Sequence, residues 1–226
     1  MSHIYEVEIK SLLGSKENAS SLVSRLQEKF PQTKLEHKEK QLNHYFIAPA
    51  DLSVLKKEIS AFLTPEQMTS LDLIVKEGKK ISIRTRDTNG KVLFVIKASV
   101  GDDTSANGVK RIEFEAVIPK KLDELDALLL SAGCAYQAKW SREREVYKAG
   151  DITVCLDKNA GYGYVAEFEK MTATEADLEN VRKELLETMQ SLGVSELPQD
   201  RLERMFAHYN THWPEYYGTE KTFIIE

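Results

Sequence analysis

The charges of this chain fall on one parity of its extended segments, and that pattern limits the folds open to it. Side chains alternate between the two faces of a β-strand, so each residue's face follows from its position. Over residues 4–10, Glu6, Glu8 and Lys10 share one face and Tyr5, Val7 and Ile9 the other. Over 81–86, Ser82, Arg84 and Arg86 oppose Ile81, Ile83 and Thr85. Over 111–116, Arg111, Glu113 and Glu115 oppose Ile112, Phe114 and Ala116; over 166–169, Glu167 and Glu169 oppose Ala166 and Phe168. Lys97 and Asp157 each end an apolar strand. Residues 142–145 are ambiguous, because Arg142 and Arg144 share one face while Glu143 and Glu145 share the other.

An ordinary sheet, with one face in water and the other under helices, explains any one of these strands. It explains the set less well. A solvated face mixes in Thr, Ser, Gln and Lys, whereas these faces place like charges two residues apart: Glu6/Glu8, Glu113/Glu115, Glu167/Glu169, Arg84/Arg86 and Arg142/Arg144. Carboxylate pairs that converge in a low-dielectric interior must take up protons or bind a cation. All-oxygen ligand sets favour Mg²⁺ or Mn²⁺ over zinc. The guanidinium pairs need anions, and their planar forks match phosphate oxygens. A closed sheet lined by both sets would hold a polyphosphate bridged by divalent metal, with its apolar exterior under helices.

The rest of the sequence supplies such a sheet. Strands are expected at 4–10, 37–47, 79–87, 91–98, 109–118, 136–148, 151–157 and 163–171, with Asn89-Gly90 marking a tight turn between the third and fourth. Helices are expected at 15–30 behind a Ser15 cap, from Asp51, from Thr64-Pro65-Glu66-Gln67 to about Val75, from Leu122 to Gly133, from Thr174 to Gly193, and near 199–209 ahead of an aromatic tail (Trp213, Tyr216, Tyr217). Eight antiparallel strands can close and remove their exposed edges. The expected fold is therefore α+β, an eight-stranded antiparallel closed β-barrel with a charged interior and helices packed outside.

With 226 residues, 42% of them apolar, the chain can bury one ordinary core, and it is taken as a single domain. A net charge of −5 argues against general nucleic-acid binding or a resting place on anionic lipid. No run of about 18 apolar residues could form a membrane-spanning helix. The first residues lack the basic and apolar parts of a signal peptide, and Cys134 and Cys155 make neither a zinc nor a CxxC pattern, so a cytoplasmic protein with reduced thiols is expected. His3, His37, His44, His208 and His212 show no ligand spacing and are assigned surface or supporting roles.

Taken in order, these motifs resemble the CYTH superfamily, the triphosphate tunnel metalloenzymes. Glu6-Val7-Glu8-Ile9-Lys10 is similar to its ExExK signature and Gln41-Leu42-Asn43-His44-Tyr45-Phe46 to its QxDxYF strand. Ile83-Arg84-Thr85-Arg86, Lys97, Arg111 to Glu115, Arg142/Arg144, Asp157, and Gly161-Tyr162-Gly163 leading to Glu167-Phe168-Glu169 follow in the family's order, covering about residues 4–170. Helices over 174–226 would pack on that tunnel core. Asn43 stands where the family usually has Asp, so it is not assigned as a metal ligand; Arg142 stands where Lys is common. The 50–78 segment is long for a minimal member and is read as extra core packing ahead of a lid.

The resemblance implies a tunnel that takes a triphosphate end-on with Mg²⁺ or Mn²⁺. It implies that Glu6, Glu8 and Glu169 hold one metal ion. Glu113, Glu115, Asp157 and Glu167 become candidates for a second ion or for orienting the attacking water. Lys10, Arg84, Arg86, Lys97, Arg142 and Arg144, joined by Arg111, would clamp phosphates. The expected reaction is metal-dependent hydrolysis of tripolyphosphate, a nucleoside triphosphate or thiamine triphosphate, favoured because the Glu167/Glu169 pair is complete. The alternative is a class IV adenylate cyclase forming cyclic AMP and pyrophosphate from ATP; a third reading is a non-catalytic polyphosphate or nucleotide binder.

Overall fold

Alternation builds the strands and capping chemistry sets the helices between them. A computed structural model describes residues 5–99 and 111–226; the side chains of Glu77, Lys79, Lys80, Ser99, Arg111, Ile112, Glu113 and Glu175 lie outside that description. The eight strands are β1 (Tyr5–Gly14), β2 (Lys34–Ile47), β3 (Lys79–Thr88), β4 (Lys91–Ser99), β5 (Arg111–Val117), β6 (Ala135–Ala149), β7 (Ile152–Asn159) and β8 (Gly163–Thr172). The helices are α1 (Lys16–Lys29), α2 (Ser53–Ser60), α3 (Pro65–Glu77), α4 (Leu122–Ser131), α5 (Leu178–Ser191) and α6 (Gln199–Tyr216).

The strands form an eight-stranded antiparallel sheet in the order β1-β8-β7-β6-β2-β3-β4-β5. The α+β class is as expected. Closure is not made by hydrogen bonds: β1 and β5 end the order, and β5, the shortest strand at seven residues, pairs with β4. A hydrogen-bonded barrel needs a ladder between its first and last strands, and the described residues form none there.

The chain divides into two compact units. Residues 5–39 and 142–226 make the first. Its core lies between β1, β7 and β8 on one side and α1 and α5 on the other, with Ile9, Leu22, Phe168 and Leu185 at its centre. Ser15 caps α1, its hydroxyl accepting from the Asn18 amide at 3.2 Å. The second unit, residues 40–99 and 111–141, packs α2, α3 and α4 on one face of β3, β4 and β5 around Leu55, Ile59, Ile74, Phe94 and Leu129. The long segment before β3 thus serves packing. Its second helix has the expected capping box, Thr64 Oγ1 accepting from the Gln67 amide and Gln67 Oε1 from the Thr64 amide.

Two turns need special backbone. Asn89 and Gly90 both take positive φ, 52° and 86°, as a two-residue hairpin demands. Gly163 opens β8 at φ 73°, and a Cβ there would lie 2.4 Å from the Gly14 carbonyl oxygen. The Gly161-Tyr162-Gly163 segment is therefore a site of close backbone approach.

Two helix ends differ from expectation. A 3₁₀ turn over Glu175–Asp177 precedes α5, so Asp177 rather than Thr174 occupies its cap position. The last helix does not stop near 209 but runs to Tyr216, through Pro214 in its final turn. Leu202, Met205 and Tyr209 form its buried stripe, and Tyr216 continues it, ring centroids 6.0 Å from Tyr209. The stripe outweighs the missing amide of one late proline, which takes the place of only one backbone bond.

Candidate active site

In the first unit the register of β1 against β8 assembles the acids. Glu8 faces Glu169 directly, Lys10 faces Glu167, and Cys155 on β7 faces Glu167. On this face one oxygen from each of Glu8, Glu167 and Glu169 can lie within 4.8 Å of the others. That trio differs from the set expected to share a metal, Glu6, Glu8 and Glu169. Glu6, one step toward the start of β1, is exposed and outside the trio, though its charge still acts on Glu169. Glu167, expected among the water-orienting acids, sits inside it.

Bases flank the trio. Lys10 Nζ lies 3.0 Å from Glu167 Oε1 and also pairs with Glu8. Arg144 reaches both Glu167 and Asp157. Asp157, only 1% exposed, accepts from Arg142 Nη1 at 2.8 Å, Arg144 Nε at 2.6 Å and Arg144 Nη2 at 2.7 Å. Its two oxygens are thus engaged with guanidinium groups. The register also resolves the ambiguity at 142–145: Arg144 opposes Asp157 and Arg142 opposes Asn159, so the arginines take the charged face, while Glu145 bonds Lys38 and Tyr147.

Crowding of like charges splits the two central carboxyls. Burial raises the Glu167 pKa, but Lys10, Arg144 and Arg142 outweigh it and hold the group well below the usual range. Glu169 goes the other way: burial first, then Glu167 and Glu6, push its carboxyl up to about 7. The Cys155 thiol, 3.6 Å from Glu169 Oε1, is pushed up to about 12 by burial and these acids against the pull of Arg144. The sequence assigns this cysteine no site role; its parity with Asp157, two residues on, is the signal that places it on the charged face.

The shift at Glu169 has a consequence for stability. A carboxyl whose pKa is higher folded than unfolded adds nothing below about pH 4.5, where both states bind the proton. As pH rises from about 4.5 to about 7 the unfolded chain gives up that proton while the folded chain keeps it, so stability falls over that window and levels off above it. In chelator, Glu169→Gln should therefore match the wild type near pH 4.5 and exceed it at pH 8 by on the order of 2 kcal/mol, allowing for the solvent that reaches this partly exposed group. Urea denaturation at the two pH values checks it; equal stability at pH 8 would contradict the crowding.

In the second unit the charged face carries Asn43 and Tyr45 on β2, Arg84 and Arg86 on β3, Lys97 on β4 and Glu115 on β5. Arg86 Nε donates to Asn43 Oδ1 at 2.9 Å and its Nη1 to Glu115 Oε1 at 3.0 Å. The buried Arg84 donates to the Tyr45 hydroxyl at 2.9 Å and lies 5.5 Å from that ring's centroid, a cation–π distance. Asn43, given no role by the sequence, is the amide that orients Arg86. Arg111 and Glu113 belong to β5 by backbone, opposite Ser99 and Lys97, and their side chains lie outside the described residues. His44 is not at the surface: it is buried on the opposite face, Nδ1 2.6 Å from Asp126 Oδ2.

Comparison with known proteins identifies the fold and the family. A curated relative, "Adenylate cyclase CyaB" of Aeromonas hydrophila, is 29% identical over 140 residues, 62% of this chain and 65% of that protein, so the match spans slightly less than two thirds of the relative. Among solved structures, the PH1819 protein of Pyrococcus horikoshii OT3 superposes with a TM-score of 0.61 at 19% identity, over 90% of this chain and 99% of that one. The PH1012 protein of the same organism gives 0.58 at 18% identity, over 86% and 92%. These likenesses establish the fold. The CYTH domain model matches residues 71–201, more than half of the sequence, and the chain belongs to the CYTH domain family.

Proposed function

We propose that this protein is a divalent-metal-dependent enzyme acting on a triphosphate substrate, and that it hydrolyses the terminal phosphoanhydride. The observation that carries this reading is the Glu8, Glu167 and Glu169 trio bordered on the same face by Lys10, Arg142 and Arg144. Closure of the sheet into a tunnel, which the family resemblance implies, belongs to this reading.

The residues fit a hard cation. They offer oxygen donors only, close enough to share one ion, and burial together with the acids Glu167 and Glu6 pushes the Glu169 carboxyl up to about 7, a cost that such an ion would relieve. Mg²⁺ or Mn²⁺ bound there would neutralise phosphate charge as it develops in the transition state. The chain's own part is positioning. Glu8, Glu167 and Glu169 are the proposed ligands, with Glu6 adding charge from the edge. Lys10, Arg142 and Arg144 bind phosphate oxygens, and Asp157 holds the two guanidiniums in place. Arg84, Arg86 and Lys97 have the same chemistry on the second unit's charged face, with Arg111 on the strand next to Lys97, opposite Ser99. Glu115 and Glu113 are proposed to orient water. Phosphoryl transfer asks little more than alignment and charge neutralisation, so no special nucleophile is required.

One observation favours a second reading: the relative at 29% identity is named an adenylate cyclase. In that reading the same clamp holds the pyrophosphate leaving group while the 3′-hydroxyl of ATP attacks the α-phosphorus. Product analysis separates the two. Incubation with tripolyphosphate, ATP, GTP and thiamine triphosphate in Mg²⁺ and in Mn²⁺ is expected to release orthophosphate. Cyclic AMP with pyrophosphate would select the cyclase; triphosphate binding in calorimetry without turnover would select a binder. No binding of any of them would remove the proposal.

A further inference from the structure

The second unit holds a buried charged cluster on the side of its sheet away from Arg84 and Arg86. Asp126, in α4 and 2% exposed, accepts from Thr85 Oγ1 through Oδ1 at 2.6 Å. Its Oδ2 lies 2.6 Å from His44 Nδ1 and accepts from the Tyr136 hydroxyl at 2.7 Å, with Lys139 Nζ 3.9 Å away. One carboxylate therefore binds β2, β3 and β6 to a helix. Burial works to protonate it, but the bonds from His44, Thr85 and Tyr136, with the His44 charge, hold its pKa below the ordinary value. A buried anion is costly, and an apolar side chain at this position would pack against the same sheet without that cost.

The location of the bonds suggests what the cost serves. His44 and Thr85 are register partners, each between two residues of the opposite face. His44 separates Asn43 from Tyr45, and Thr85 separates Arg84 from Arg86. On the charged face those flanking residues are themselves joined, Asn43 to Arg86 and Tyr45 to Arg84. The two three-residue blocks are thus fastened from both sides. Asp126 thus adds side-chain bonds to the ladders that hold the backbone carrying the arginines.

We propose that Asp126 is a positioning residue for the Arg84/Arg86 pair, acting through Thr85 and His44 to fix where the two guanidiniums meet phosphate. This rests on the reading that those arginines bind a triphosphate. Misplacement of a clamp by a fraction of an ångström to an ångström costs one to two orders of magnitude in productive binding, so Asp126→Asn should raise KM for tripolyphosphate by ~10-fold while kcat stays within ~3-fold. Thr85→Val, which removes one of the bonds and guards against a variant that fails to fold, should raise KM by ~3-fold, and Thr85→Ser should restore it.

A purely structural role would lower the melting temperature and leave KM per folded molecule unchanged. The decisive measurement is a double-mutant cycle. Arg86→Lys should cost less in the Asp126→Asn background than in the wild type, because the arginine is already misplaced there. Additive effects, or KM values of folded Asp126→Asn and Thr85→Val within twofold of wild type, would overturn the inference while the wild type still binds tripolyphosphate in calorimetry. Absence of that binding in the wild type would instead remove the functional reading, and the inference with it.

Discussion

An Asp157→Ala chain is expected to lose about 3–5 kcal/mol of stability, the range seen when one partner of a buried ion pair is removed. Asp157 is almost fully buried, and three donors from Arg142 and Arg144 converge on its two oxygens. Its removal takes a buried carboxylate away from two partly buried guanidiniums, leaving Arg144 its pair with Glu167. Arginine does not give up its proton, so the charge cannot be relieved by titration. Chemical denaturation should show a lower midpoint with an unchanged slope, since the same surface is exposed on unfolding. Inorganic tripolyphosphate should then stabilise the variant more than it stabilises the wild type, because the added anion takes the place of the missing carboxylate. A loss under about 1 kcal/mol would mean that water already solvates these arginines, and that Asp157 is free for another role.

The alternation of charge along single strands is legible in the sequence alone, because it depends only on which side of a strand a residue occupies. Glu6/Glu8/Lys10, Arg84/Arg86 and Glu167/Glu169 all take the face that parity assigns to them. Which acid meets which base is not legible there. Glu8 meets Glu169 across more than 150 residues of sequence, through a register that no local rule supplies. Hence the trio contains Glu167, and Glu6 stands at its edge. Asp157 ends an apolar strand, so nothing local indicates that two arginines of the preceding strand claim both its oxygens.

The Asp126 cluster is hidden for a related reason, although a signal is present. Asp126 follows Leu122 by four and precedes Leu129 by three, which puts an acid on the buried stripe of α4. An acid in that position needs partners, and here they come from three strands. The spacing of His44 to other ligand-type residues gives no hint of a partner 82 residues away. The last helix reads short in the sequence because Pro214 and the aromatic run have the composition of a stop, whereas the stripe from Leu202 to Tyr216 continues through them.

Glu8→Gln should lower turnover of the triphosphate substrate by on the order of 10²-fold, and Glu169→Gln by a similar factor. Glutamine keeps the size of the side chain and one oxygen donor, so the loss reports the missing negative charge. Stability should move differently. The members of the acidic set differ: the Glu169 carboxyl is raised by burial and by Glu167 and Glu6, so neutralising it relieves repulsion in the metal-free protein, whereas Glu167 is held by Lys10 and Arg144. Glu169→Gln, whose carboxyl is already pushed up to about 7, should gain stability at alkaline pH while it loses activity. A residue that weakens the fold by its own charge and is needed for turnover has the profile of a ligand. Raising Mg²⁺ or Mn²⁺ well above the wild-type requirement should recover part of the Glu8→Gln activity, because the lesion is in metal affinity. Orthophosphate release measured against metal concentration gives both numbers. Full turnover in Glu8→Gln and Glu169→Gln alike would place the chemistry elsewhere on the chain.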